Sequence, residues 1–305
     1  MEKKQKASHV LIVGYGEMGH AMKFLLRDRH HLSIYDSRQI EGLPPVDLEL
    51  LAASADFILF CIPSQPLGEM LERLSPHLQQ HTICLSISKG LDDLGRPPAL
   101  IYEQVFHAGQ RYCLLYGPMI SEEIRAGRYG FAELGCSDIA VFDEVQALYR
   151  GSALGIRKSD DIIGISWSVI LKNVYAIAFG ASDALGLGDN VRGFLAVTAM
   201  EELSSIMAHM GGRAATPLRL AGLGDLITTA TSVGSHHHEL GIKLARGQTD
   251  DISGEGIHTL AMVAKHCLFN YRLYALFSLV SDMVKTPAET EKLFRNFIAG
   301  SLQHP

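Results

Sequence analysis

Apolar residues come in two rhythms in the first half of the chain. SHVLIVG (8–14) is a short apolar run and predicts a strand. EMGHAMKFLLRD (17–28) spaces its apolar residues at helical intervals and predicts a helix. HLSIYD (31–36) predicts a second strand, and DFILFCIPS (56–64) a third. PLGEMLERLSPHL (66–78) predicts a helix and HTICLSISKG (81–90) a fourth strand. YCLLYGP (112–118) and FAELGCSDIAVF (131–142) extend the β-rich series. Strands and helices taking turns predict a doubly wound, mostly parallel sheet with helices on both faces.

From about Asp160 the rhythm changes. Apolar runs lengthen, strand signals stop, and helices are predicted at 162–182, 190–211 and 256–269. The expected division is an α/β domain over 1–158 and an all-α domain over 159–305. A length of 305 residues fits two cores better than one.

Composition narrows the classes. Hydrophobic content of 47% with 20% charged residues is that of a folded globular chain. A net charge of −6 argues against nucleic acid or an anionic membrane as the main partner. Cys61, Cys84, Cys113, Cys136 and Cys267 are scattered and form no CxxC pair, which predicts a reducing, cytoplasmic setting. The start, MEKKQKASH, has no signal-peptide pattern. Residues 162–182 are long enough to span a bilayer, but Lys172 and Asn173 lie at their centre. A buried core helix is therefore expected, and no membrane span.

GYGEMG supplies the spacing GxGxxG between a predicted strand and a predicted helix. Gly14 permits a tight turn, Gly16 lets backbone approach a pyrophosphate, and Gly19 lets helix and strand pack closely. The residues of this turn (Gly14, Tyr15, Gly16, Glu17, Met18 and Gly19) are the expected cofactor cradle, with free N–H groups at the helix N-terminus. Asp36 ends the second strand, 22 residues after Gly14. A carboxylate there bonds ribose hydroxyls and repels a 2′-phosphate, which favours NAD. Ser37 and Arg38 beside it keep NADP possible.

Lys172 lies within the most apolar helix of the chain. A buried ammonium must be paired, hydrogen-bonded or neutralised, and a desolvated lysine is a candidate general acid/base. The alternative is a lysine that lays its stem over apolar surface. Lys89 falls at the carboxyl end of a strand, where doubly wound sheets bind ligands. AGLGDLITTAT (221–231) carries Asp225, a group able to pair with Lys172.

The order of these motifs resembles the bacterial-type NAD(P)-dependent glycerol-3-phosphate dehydrogenase family. The resemblance rests on GYGEMG, IPSQ (62–65), SKG (88–90), GPMISEEI (117–124), LKNVYAIAFGASDALGLGDN (171–190), LAGLGDLITTAT (220–231) and GEGIHT (254–259). It implies a Rossmann domain followed by an all-helical substrate domain. It also implies interconversion of sn-glycerol 3-phosphate and dihydroxyacetone phosphate with NAD as cofactor. Lys172 would then be the acid/base and Lys89 would stabilise negative charge on the reacting oxygen. Asn173, Asp225 and Thr229 would hold Lys172 and substrate, while Pro63 and Glu255 would border the cofactor. The large apolar helical half, read from the residues and not from the resemblance, suggests a homodimer.

The chain departs from the family at the phosphate clamp. A Ser-Arg-Asn element is replaced by Ser235-His236-His237, and a Thr-Arg-Gly by Val197-Thr198-Ala199. Three adjacent helical histidines point about 100° apart and cannot share one ion, so no metal is expected. Gly234-Ser235 predicts a helix start with Ser235 at the N-cap. His236 and His237 would then form an anion site in the first turn, weaker near neutral pH than a guanidinium and stronger as pH falls. The plain alternative is a solvated polar turn. Arg192, Arg213 or Arg219 could supply the missing charge. Two other functions stay open: a relative with a non-phosphorylated or differently charged hydroxy substrate, and a dinucleotide-binding regulatory protein with little turnover.

Overall fold

A computed structural model of the chain describes residues 7–42, 46–107, 109–232 and 234–303. Residues 1–6, on which the expectation of no leader partly rested, lie outside them. The chain divides into two compact units. The first runs to Asp92 and resumes over Arg96–Ile162; the second takes Asp93–Gly95 and everything from Ile163.

The first unit alternates strand and helix. In chain order it holds β1 (His9–Val13), α1 (Glu17–Leu26), β2 (His31–Tyr35), α2 (Leu48–Ser54), β3 (Phe57–Phe60), α3 (Leu67–Leu74) and β4 (Ile83–Ser86). It continues with α4 (Pro98–Val105), β5 (Arg111–Tyr116), α5 (Ser121–Arg125), β6 (Gly130–Gly135), α6 (Ile139–Leu148) and β7 (Leu154–Ser159). The sheet order is β2-β1-β3-β4-β5-β6-β7. Every pairing is parallel except β5 with β6. Val10–Val13 of β1 and all of β3 and β4 are buried, which is why VLIV, FILF and ICL read as unbroken apolar runs.

Two expectations need correction here. The β-rich stretch 131–142 is strand only to Gly135. The Asp138 carboxylate then accepts the Ala140 N–H at 2.8 Å and starts α6, so Ile139–Phe142 is helical. Strand β7, LGIRKS, was not expected. It is an edge strand with one open side, so it carries Arg157 and Lys158 where an apolar run would have shown it.

His30 closes the amino end of this sheet. Its Nδ1 accepts the Ser8 N–H at 3.2 Å, and its Nε2 lies 2.9 Å from the Leu148 carbonyl oxygen. A carbonyl only accepts, so the proton sits on Nε2 and the ring is neutral. Burial lowers the His30 pKa from the ordinary 6.5. A depressed histidine stabilises the fold above its unfolded pKa and loses that contribution as pH falls through the folded value. The stability gap between wild type and His30→Gln, read as thermal midpoints, should therefore shrink on going from about pH 7.5 to about pH 5. A gap that stays constant would mean the ring does not titrate against folding.

The second unit is helical. It contains α7 (Ile162–Ala184), α8 (Gly188–His209), α9 (Asp225–Thr231), α10 (His236–Ala245), α11 (Glu255–His266), α12 (Ala275–Lys285) and α13 (Thr290–Gln303). Helix α7 is long and apolar enough to cross a membrane, yet every residue from Gly164 to Ser182 is buried inside the protein. Two glycines let α7 and α10 touch backbone to backbone. A Cβ on Gly180 would lie 1.9 Å from the His238 carbonyl oxygen, and one on Gly241 would lie 2.0 Å from that of Ile177. Glu202 of α8 is buried and caps α12 from outside. It accepts the Leu276 N–H at 2.7 Å, and the Phe277 N–H and the Tyr175 hydroxyl at 3.0 Å each. Burial raises its carboxyl pKa, and the two backbone N–H groups partly offset that.

Asp93–Gly95 is held on α11. His266 Nε2 bonds the Asp93 carbonyl oxygen at 3.0 Å, and Gly95, at φ +75°, leaves room for the His266 ring.

Candidate active site

In the first unit the site lies at the carboxyl ends of the strands, where a twisted parallel sheet leaves a crevice. Gly14 has φ +95°, and a Cβ there would meet the Cys61 carbonyl oxygen at 2.6 Å. A Cβ on Gly19 would meet the Gly14 carbonyl oxygen at 2.2 Å, so α1 packs tightly under the turn. Gly16 differs. It caps α1 in an extended conformation, and no protein atom lies within 4 Å of where its Cβ would be. Protein packing does not require a glycine there, and the space over the helix N-terminus is open. The turn thus fits a dinucleotide pyrophosphate.

The rest of the cradle is less uniform. Glu17 turns its carboxylate to Ser121 at 3.2 Å and Arg125 at 3.0 Å, and Met18 packs on the sheet core. Both therefore offer a ligand their backbone, not their side chains. Pro63 is exposed just beyond β3. The Tyr15 N–H donates to Asp36 Oδ2 at 2.8 Å. Arg38 adds three donors to the same carboxylate: its N–H and Nε to Oδ1 at 2.9 Å each, and Nη2 to Oδ2 at 3.1 Å. The Arg38 guanidinium, hydrogen-bonded to Asp36, holds that carboxyl down at about 2.

Lys89 follows β4. Its Nζ lies 3.4 Å from the Gly117 carbonyl oxygen. The chain beside it is fixed by the Tyr116 hydroxyl donating to the Ser88 carbonyl at 2.8 Å, and by Ser88 Oγ donating to that of Ile62 at 2.7 Å. The exits of β3, β4 and β5 are therefore tied together.

In the second unit Lys172 is 4% exposed, so its ammonium does not reach solvent over an apolar surface. Nζ lies 3.1 Å from Asp225 Oδ2 and donates to Thr229 Oγ1 at 2.5 Å. The Thr229 hydroxyl spends its own proton on the Asp225 carbonyl at 2.7 Å, which leaves its lone pairs for the lysine. Asp225 and Thr229 share a face of α9 at i, i+4. A π-helical turn, Leu220–Gly224, delivers Asp225 to that face. Gly222 is needed there because a Cβ would sit 2.1 Å from the Pro217 carbonyl oxygen. Asn173, also buried, follows Lys172, and its carbonyl oxygen lies 3.1 Å from where Gly256 would carry a Cβ.

The three histidines diverge. Ser235 is the N-cap residue of α10, but its side chain makes no capping hydrogen bond. His236 Nε2 bonds the Ser253 carbonyl oxygen at 2.9 Å, and its ring fills the gap left by Gly254, at φ +123°. The ring of His237 lies against Gly256, one residue past Glu255, the first residue of α11. His238 Nε2 bonds Asp183 Oδ2 at 2.8 Å. Because the Ser253 carbonyl can only accept, neutral His236 keeps its proton on Nε2 and has only a lone pair left on Nδ1. Only the imidazolium offers a second N–H to an anion.

Arg192 is committed elsewhere, to Asp183 and Asp189 at 2.7 Å each. The link from His238 through Asp183 to Arg192 was not anticipated, although Asp183 stands in the quoted DALGLGDN turn. No group of three or more His, Cys, Asp or Glu placed to hold a metal occurs among the described residues.

Two family models match the chain: the NAD-dependent glycerol-3-phosphate dehydrogenase N-terminus over residues 43–141 and the C-terminus over 161–295. A glycerol-3-phosphate dehydrogenase [NAD(P)+] of Synechocystis is 30% identical over 265 residues, 84% of this chain and 82% of that protein. One from Agrobacterium fabrum is 30% identical over 284 residues, 84% and 86% of the two chains. The crystal structure of glycerol-3-phosphate dehydrogenase from Coxiella burnetii superposes with a TM-score of 0.81 at 23% identity, over 95% of this chain and 99% of that one.

Proposed function

The chain belongs to the NAD-dependent glycerol-3-phosphate dehydrogenase family, oxidoreductases acting on CH–OH donors, and from that premise we propose that it interconverts sn-glycerol 3-phosphate and dihydroxyacetone phosphate with Lys172 as the acid/base. The observation that carries this reading is the buried Lys172 ammonium, fixed by Asp225 and Thr229. When bound, the nicotinamide supplies or accepts the hydride. In reduction the Lys172 ammonium gives a proton to the C2 oxygen as the carbonyl becomes a hydroxyl; in the oxidative direction the neutral amine takes that proton back. Asp225 compensates the ammonium charge inside the fold, and the Thr229 hydroxyl fixes its direction. Asn173 lies beside Lys172 for substrate contact. Lys89, at the carboxyl end of β4 in the first unit, is a cation of the kind that stabilises developing negative charge.

The phosphate is received at the start of α10 by first-turn N–H groups and by His236 and His237. What supports this is the sequence position of the family's clamp together with the N-cap geometry at Ser235. His236→Arg with His237→Asn restores a permanent fork. It should lower KM for dihydroxyacetone phosphate by about tenfold. An unchanged KM in that double variant means that the histidines do not face the phosphate.

Turnover is tested by nicotinamide absorbance with dihydroxyacetone phosphate against dihydroxyacetone. Faster oxidation of NADH with the phosphate supports the reading. Tight NADH binding with no turnover of either points instead to the regulatory function. We place the reaction in the cytoplasm because five scattered cysteines without a CxxC pair fit a reducing compartment.

A further inference from the structure

A hollow on the first unit lies outside both the dinucleotide turn and the lysine site. Its volume is about 310 Å³, and it is lined by Tyr15, by His20, Lys23, Phe24 and Arg27 of the α1 segment, and by Arg125 of α5. The lining holds three cations and no acid, in a chain whose net charge is −6. His20, Lys23 and Arg27 fall at i, i+3 and i+7, on one stripe of the helix. Lys23 and Arg27 are four apart and repel each other, where a helix surface serving stability alone gains more from an acid at one of the two positions. Basic side chains near a helix C-terminus do answer its dipole, but that does not account for Arg125, which comes from another helix. Much of the donor capacity is unspent. Lys23 Nζ gives one N–H to the Tyr15 hydroxyl at 3.0 Å and keeps two. The Arg27 guanidinium lies over the Phe24 ring, 4.6 Å from its centroid, and stays 3.8 Å from Asp28 Oδ1, beyond hydrogen-bond reach. Arg125 spends Nη1 on Glu17 Oε2 at 3.0 Å, an exposed pair. The buried Tyr15 ring forms the floor, with the His20 ring 3.9 Å away between centroids. Lys23 and Arg27 lie about 10 and 16 Å along the helix axis from Gly16, at 1.5 Å per residue, so they do not belong to the pyrophosphate cradle.

We infer that this hollow is a second anion site, which takes a small phosphate ester apart from the dinucleotide and triose sites. Arg27 and Arg125 bring planar forks that match phosphate oxygens two at a time, and Lys23 adds a point charge. Phe24 and Tyr15 give apolar walls for the body of the ester, and the volume is at the lower end for small-molecule sites. The hollow has no part in hydride or proton transfer, so its occupant is bound without being turned over.

The full-length protein, saturated with NADH so that the glycine turn is filled, is titrated calorimetrically with inorganic pyrophosphate at constant ionic strength. Wild type should bind it saturably with a Kd below about 1 mM. Lys23→Gln with Arg27→Gln should weaken that binding by about tenfold or more, the usual effect of losing charged hydrogen bonds. Lys292→Gln with Arg295→Gln, at exposed positions of α13, removes the same charge elsewhere on the chain and should leave the Kd within about twofold. All four substitutions are at the surface, and equal melting midpoints confirm that both variants fold. Three results overturn the inference: no saturable binding up to about 10 mM pyrophosphate, equal binding by wild type and the Lys23/Arg27 variant, or equal losses in the two double variants, which would report net charge and not a site. A protein that binds pyrophosphate as expected but turns over no triose phosphate would sink the proposed reaction and leave the second anion site standing.

Discussion

Lys172→Ala lowers kcat by about 10²–10⁴-fold, the usual cost of a lost general acid/base, while NADH affinity stays within about twofold. The expectation follows from where the lysine sits. Its ammonium touches Asp225 and Thr229, in the helical unit, while the dinucleotide turn is built from β1, α1 and β2. Removing Lys172 also leaves the Asp225 carboxylate without its buried cation, at a cost of about 3–5 kcal/mol in the helical unit. A thermal melt of the same variant is therefore needed, and Lys172→Ala with Asp225→Asn separates the two effects. The double variant should recover most of the stability and none of the rate. Collapse of NADH binding in a folded Lys172→Ala protein would remove the lysine from the chemistry.

The second large effect is on stability. Gly180→Ala places a methyl group 1.9 Å from the His238 carbonyl oxygen, where no flexible side chain can give way. Helices α7 and α10 must separate, and overpacking of this kind costs about 3 kcal/mol or more. For a chain of this size that lowers the melting midpoint by roughly 5 °C. Gly193→Ala is the control. It lies inside α8 with nothing within 4 Å of its Cβ position, so the same substitution should gain a few tenths to about 1 kcal/mol. Equal midpoints for the two variants would mean that α10 is not held by the glycine contact.

The parts legible in the sequence are those where a local pattern and a global need coincide. The inner strands announce themselves because they are covered on both faces. Lys172 stands out because an ammonium amid 20 mostly apolar neighbours needs a partner, and Asp225 was the acid that could be named. Strand β7 was hidden because an edge strand has no need of apolar residues on its open side. The beginning of α6 was hidden because IAVF suits either a strand or a helix, and the Asp138 cap decides between them. Glu202 was invisible for a different reason. Its role depends on Leu276 and Phe277, more than 70 residues away, and nothing near it in the chain reports that meeting. The histidines were legible as a departure, while their separate destinations at Ser253, Gly256 and Asp183 needed three dimensions.

The small segment Asp93–Gly95 constrains how this gene can be cut. By contacts it belongs to the helical unit, although about 70 residues of the sheet unit follow it in the chain. A fragment beginning at Ile163 would lack the carbonyl that His266 bonds and the glycine on which its ring rests. An expression fragment or domain fusion joined at the unit boundary would therefore not inherit a complete helical module. The two halves of this chain are not interchangeable cassettes, and recombination between relatives should be tolerated better when the crossover keeps 93–95 and 163–303 from the same parent.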